Sequence, residues 1–197
     1  KCRNINFCIT PDFFWIKSRT TSYDHALFDT IRGATKRLRT NNTTVETTQV
    51  NTLTAFNSNG FTLNYAPHIN KSGQTFVAWN WKAGGTGVSN TDGSITSTVS
   101  ANTEAGFSIV AHTSDGSTGS TVGHGLDSTP ELVIRKSRDA AKNWQVWTTA
   151  IDGSVDRLKL NTTEAKADLT VSLTATTMSN GDTSTEDIIS YCFHSVD

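Results

Sequence analysis

Five histidines (His25, His68, His112, His124 and His194) are the side chains best suited to moving protons near neutral pH. They are scattered, whereas acid–base or metal chemistry needs partners at fixed spacing. Only His124 sits in a compact motif, His124-Gly125-Leu126 ahead of a Pro-led stretch, and a hydrogen bond at a turn is its expected role. Asp12 and Glu131 precede similar stretches. A glycosidase would need both carboxylates at one bond, so acids in two separate segments read better as turn or strand-edge residues. Ser18 and Ser137, each inside Lys-Ser-Arg, lack the glycines of a nucleophile elbow. The run AGGTGVSN at 83–90 has no Lys or helix after it to hold phosphate and reads as a flexible linker. Residues 89–94 and 179–187 carry oxygen donors without the order of a calcium loop. The expectation is a protein that is not an enzyme, with no cofactor and no resident metal.

The remaining pattern concerns a scaffold. PDFFWIKSR at 11–19 returns as PELVIRKSR at 130–138, an offset of 119 (130 minus 11). Arg37-Leu38-Arg39 matches Arg157-Leu158-Lys159, and Asn41 matches Asn161. FVAWNWK at 76–82 lies against IISYCFH at 188–194. Blocks kept in one order predict an internal duplication with a domain-sized period. The expected units are residues 1–84, with an incomplete start, and 85–197, opening on a Gly/Ser/Thr-rich joint.

About a quarter of the chain is Ser or Thr, and only three residues are Pro. Thr, Val, Ile and aromatics suit a pleated, half-buried surface. Short runs separated by Asn, Gly, Asp and Ser predict strands at 13–17, 26–30, 37–40, 60–64 and 75–82 in the first unit. In the second they predict 107–112, 132–136, 144–149, 157–160, 169–174 and 188–194, with 94–100 as a further candidate. The fold class is therefore all-β: two tandem antiparallel β-sandwich units of jelly-roll or concanavalin-like type. Period-two alternation sets Trp79 and Trp81 on one face, matched by Tyr191 and Phe193. These are expected to be core stripes in two similar interiors, as is Trp15. Cys192 reads as a buried free thiol, with links among Cys2, Cys8 and Cys192 left open.

With 17 basic and 18 acidic residues the formal net charge is −1, which gives no basic footprint for nucleic acid. No apolar run reaches the length of a membrane span. For ligand binding, Trp144 and Trp147 lie on opposite faces of one strand, so at least one is expected to be exposed for stacking on a sugar. Arg37, Arg39, Arg157 and Lys159 form basic strand faces that would attract acidic polysaccharide.

The blocks GFSIV (106–110), HGL (124–126), PELVIRKSR, Asn143–Val146, Arg157–Asn161 and SYCFHS (190–195) resemble a family of tandem β-domains in marine bacteriophage structural proteins. The first unit is similar to that family's variant at 11–19, 25–33 and 76–85. The resemblance implies a virion protein of tail-fibre or appendage type, working in assembly and attachment to host-surface glycan. Its partners would be other virion proteins, further copies of itself and host polysaccharide. A capsid decoration or head-fibre protein and a stand-alone lectin are the alternatives. The family supplies no catalytic residues, and residues 64–71 depart from its pattern, where a simple turn is expected.

Overall fold

The computed structural model describes residues 9–196, and residues 3–6 as backbone. The strands of the first half are β1 (Arg3–Asn6), β2 (Phe13–Ser18), β3 (Ala26–Asp29), β4 (Lys36–Arg37), β5 (Thr47–Thr48), β6 (Leu53–Asn57), β7 (Gly60–Leu63) and β8 (Phe76–Trp81). One helical turn, α1 (Pro67–Asn70), stands where a simple turn was expected. There follow β9 (Val88–Asn90), β10 (Ser97–Asn102), β11 (Phe107–Thr113), β12 (Thr121–Gly123), β13 (Leu132–Ser137) and β14 (Gln145–Thr148). The last four are β15 (Asp156–Lys159), β16 (Ala167–Asp168), β17 (Thr177–Ser179) and β18 (Asp187–Phe193). The ladders between these strands are antiparallel, one isolated parallel bridge joins Ile95 to Val122, and the chain is nearly all-β.

The matched sequence blocks take matched places. β2 lies between β3 and β8, and β13 lies between β14 and β18. The pairs Phe13↔Asp29 and Phe13↔Trp81 correspond to Leu132↔Thr148 and Leu132↔Phe193. Lys36↔Thr48 and Asp156↔Asp168 correspond further out. The Lys-Ser-Arg motif acquires a physical reading. Lys17 Nζ folds back onto the carbonyls of Ser18 and Thr21, and Lys136 Nζ onto those of Ser137 and Ala140. Ser18 and Ser137 each accept from the N–H three residues on, so the motif closes the strand's end as a folded corner.

Alternation along β2 sends Phe14 and Ile16 to one side, where they join Phe28, Leu53, Phe61 and Ile69 beneath β6 and β7. Phe13 and Trp15 point the other way. They meet a face of the eight-stranded sheet β16-β15-β14-β13-β18-β11-β10-β9, through Phe107, Ile109, Trp144, Ile189 and Tyr191. The far face of that sheet packs Val133, Trp147 and Cys192 against Val122 and Met178 of β12 and β17. Four layers result, with three apolar seams. This corrects the expectation of two separate interiors: the matching stripes face each other and share the central seam.

Two further expectations change. The stretch 169–174 alternates like a strand, but only Leu173 bridges, to Met178. Leu169, Val171 and Leu173 still pack on the outer seam, while Ser172 N–H bonds to the hydroxyl of Ser179, so burial alternates without a continuous ladder. The Gly-rich joint is built in, because β9 pairs with β10. A Cβ on Gly84 would stand 2.4 Å from the carbonyl oxygen of Ala101, so only glycine permits that approach. Cys192 is a buried free thiol, pushed up to about 12 by burial, while Cys2 and Cys8 lie outside the described residues.

Candidate functional site

Asp12, Glu131, His25, His112 and His124 each make hydrogen bonds within the fold, while His68 Nε2 and His194 Nε2 are buried without a partner. Asp12 Oδ2 accepts from the N–H groups of Ala83 and Gly85 at 2.9 and 3.3 Å. Glu131 accepts from the N–H and hydroxyl of Ser195 at 3.1 and 3.0 Å. Each acid thus clamps the exit of its own unit's last strand, the strand-edge role expected of both. His124 is buried; its Nδ1 accepts from Leu126 N–H, which leaves Nε2–H to donate to the Thr174 carbonyl. His25 accepts from Trp15 Nε1 at 3.0 Å. His112 is buried and meets Asn180 Oδ1 through Nε2. Burial, with the Arg135 charge beside it, lowers His112 to about 4. His68 is also lowered to about 4, by burial and by Arg37 and Arg39. In the two oxygen-rich loops Asn90 closes on Asp92 and Asp182 pairs with Arg135 of β13, while Glu186 Oε2 is buried without a hydrogen-bond partner.

An acidic trio, Asp152, Asp156 and Asp168, converges within 4.8 Å. Lys166 Nζ sits among them at 2.8, 2.7 and 3.1 Å and supplies the cation itself. The equivalent place in the first half has the signs exchanged, with Arg32 bonded to Glu46 at 3.1 Å where Asp152 meets Lys166. That first-half pair belongs to a buried chain of charges. Arg32 also binds Asp29 at 2.5 Å, and Glu46 reaches Arg138 of the other half at 3.1 Å. Burial alone would lower Arg32, but Asp29, Tyr191 and Glu46 outweigh it and hold the guanidinium charged.

The proposed ligand residues take different places. Trp144 and Trp147 are both buried, which overturns the expected exposure. Trp144 fills the central seam and donates from Nε1 to the Arg39 carbonyl at 2.7 Å. Trp147 fills the outer seam, where the Arg135 guanidinium lies over its ring. A layer beyond each face, invisible from the strand alone, covers both. Arg37 is likewise buried, bonded to the carbonyls of Asp24 and His25, and its pKa falls to about 10 through burial and the nearby Arg39. Arg39 pairs with Asp24 at 3.6 Å and Lys159 with Glu164 at 2.6 Å, and Arg157 is half-buried on β15. The four cations therefore do not make one free basic face.

What the structure does gather is an apolar cleft of about 300 Å³ at the side of the central seam. Phe13, Trp15 and Trp81 line one wall and Ile134, Tyr191 and Phe193 the other. Trp81 and Phe193 stand 5.9 Å apart, edge to face. Trp79, expected in the core, is 42% exposed and packs 5.6 Å from Trp15. Two residues of the lining carry hydroxyls, and neither opens to the cleft: that of Tyr191 bonds to Asp29, and that of Thr40 is buried without a hydrogen-bond partner. A buried hydroxyl without a partner costs stability. The cleft surface is apolar and suits a small molecule with a flat apolar face. Nothing in the residue pattern around Thr40 announced it; only the meeting of two sheets creates it.

No curated protein and no solved structure matches the chain. A family model does match, over residues 3–197, so it takes in both matched halves, and the chain belongs to the family described as a domain of unknown function (DUF7483).

Proposed function

We propose that this chain is a non-enzymatic structural protein of a phage virion, a component of a tail fibre or similar appendage that serves assembly and attachment to host-surface glycan. In this reading its halves, residues 1–84 and 85–197, are tandem jelly-roll-type β-sandwich copies left by an internal duplication. The observation that carries the scaffold role is the shared register of β3-β2-β8 and β14-β13-β18. The virion assignment rests on the resemblance to marine phage structural proteins. The attachment role rests on the cleft. Sugar rings offer C–H faces to aromatic walls, and here those walls include Trp15 and Trp81. Weak sites of this kind gain strength when many copies face one surface.

The test compares the wild-type chain with Trp15→Leu on a glycan array, alongside imaging of assembled particles with the chain labelled. Retention of a glycan set by wild type, weakened in the variant, supports attachment. Uniform failure to bind removes that role, and absence of the chain from purified particles removes the virion assignment.

A further inference from the structure

In the second half, the outer edge of β18 is covered. β11 pairs along it from Phe107↔Phe193 to Thr113↔Asp187, and β10 and β9 extend the sheet beyond. In the first half β8 takes the place of β18, but among the described residues no strand pairs with its other edge. The bond from Arg19 N–H to the Thr75 carbonyl, with the register of β2 and β8, sets the phase of the ladder. The backbone groups of Val77, Trp79 and Trp81 turn toward β2, and those of Phe76, Ala78 and Asn80 turn outward. Natural edges are guarded by charge, proline, bulges or brevity. β8 reads FVAWNW over six residues, with none of these guards.

The side chains record the gap. Ala78 and Trp79 are exposed where their equivalents Ser190 and Tyr191 are buried. Asn80 Oδ1 is buried without a hydrogen-bond partner. At the equivalent Cys192, the residue opposite on β11 is Ser108. Carried onto β8 in the same register, a strand like β11 sets Phe107, Ser108 and Ile109 opposite Trp81, Asn80 and Trp79. The small serine then stands beside Asn80 on one face, and the isoleucine covers the exposed Trp79 on the other.

We propose that β8 is an acceptor edge, completed by an antiparallel strand of β11's chemistry supplied by another polypeptide: aromatic opposite Trp81, serine opposite Asn80 and β-branched opposite Trp79. Recognition is by strand addition, with backbone bonds giving affinity and alternate side chains setting register. The proposal stands on the strand topology and does not depend on what the cleft binds.

The full chain is titrated calorimetrically with a synthetic peptide of residues 104–115, with a scrambled peptide, and with the same peptide N-methylated at Ser108 and Val110. The native peptide is expected to bind, and the scrambled and N-methylated ones to lose binding. Ala78→Pro in the chain removes one outward N–H and should abolish binding; if that variant does not fold, the N-methyl series decides. Equal binding of native and scrambled peptides, or binding indifferent to N-methylation, overturns the proposal. So does a dimer in sedimentation that Ala78→Pro disperses while no peptide binds, because the occupant would then be β8 of a second copy.

Discussion

Tyr191 donates its phenolic O–H to Oδ2 of Asp29 across 2.7 Å, joining β18 of one half to β3 of the other at full burial. Asp29 in turn accepts from both the backbone N–H and Nε of Arg32. From there the chain of charges runs through Glu46 to Arg138. Burial works against the Glu46 charge, but the Arg138 hydrogen bonds and the Arg32 charge outweigh it and hold the carboxyl below its usual range. The seam between the halves is thus apolar at its centre and ionic along one side.

Removing single members of that chain should separate hydrogen bonding from charge burial. Tyr191→Phe loses one bond to a charged acceptor, about 2 kcal/mol of unfolding free energy. Arg32→Met strands the Asp29 carboxylate without its cation and should cost more, about 3–5 kcal/mol. Urea unfolding of both variants checks the order; equal losses would mean that the guanidinium contributes only packing.

Stability should fall on mild acidification, and His112 gives the sign. Its folded-state pKa, about 4, lies below the ordinary value of 6.5. The unfolded chain therefore takes up a proton that the folded chain refuses. The contribution is complete above the ordinary value, is lost as pH falls from about 6.5 toward 4, and changes no further below that. The size is on the order of 3 kcal/mol. His112→Gln, which keeps an N–H for Asn180, should reduce the fall of the urea midpoint between pH 7 and pH 4.5, leaving the share of His68, which is lowered likewise; an unchanged slope would assign the effect elsewhere.

Thr40→Val should leave the fold as stable as wild type or stabilise it by about 1 kcal/mol, since it removes a buried hydroxyl without a partner. Thermal unfolding checks this. Destabilisation of similar size would mean that the hydroxyl bonds to an ordered water, which would compete with any ligand.

Gly84→Ala tests whether the joint is a built part. The new methyl would fall against the Ala101 carbonyl and force β10 away, costing about 1–3 kcal/mol. Gly73→Ala, where φ is positive but the space around the glycine is open, serves as the strain-only comparison.

The strands β2, β8, β13 and β18 were legible because each alternates apolar residues within a repeated block, so two independent signals agreed. β6, β12 and β17 were missed for the opposite reason. β12 and β17 have three residues and one large apolar side chain each, and β6 (LTAFN) breaks its alternation at a bulge between Leu53 and Ala55; the ladder partner, not composition, makes them strands. The faces of Trp79, Trp144 and Trp147 were misjudged because exposure depends on the layer beyond the strand. Trp79 is open because, among the described residues, no strand pairs with the outer edge of β8, and Trp144 is sealed by the first half. Thr40, Glu46 and Arg138 become partners or cleft residues only through the meeting of halves, and no local spacing encodes that.

In the central seam Phe13, Trp15 and Trp81 meet a wall that includes their own counterparts, Ile134 and Phe193. Like faces like. If both halves descend from one ancestor, that ancestor on its own carried a self-complementary patch and would have associated with its twin about a twofold axis. On that descent, gene fusion would have made the pairing permanent and freed each side to drift, so that one half holds Arg32 and Glu46 where the other holds Asp152 and Lys166.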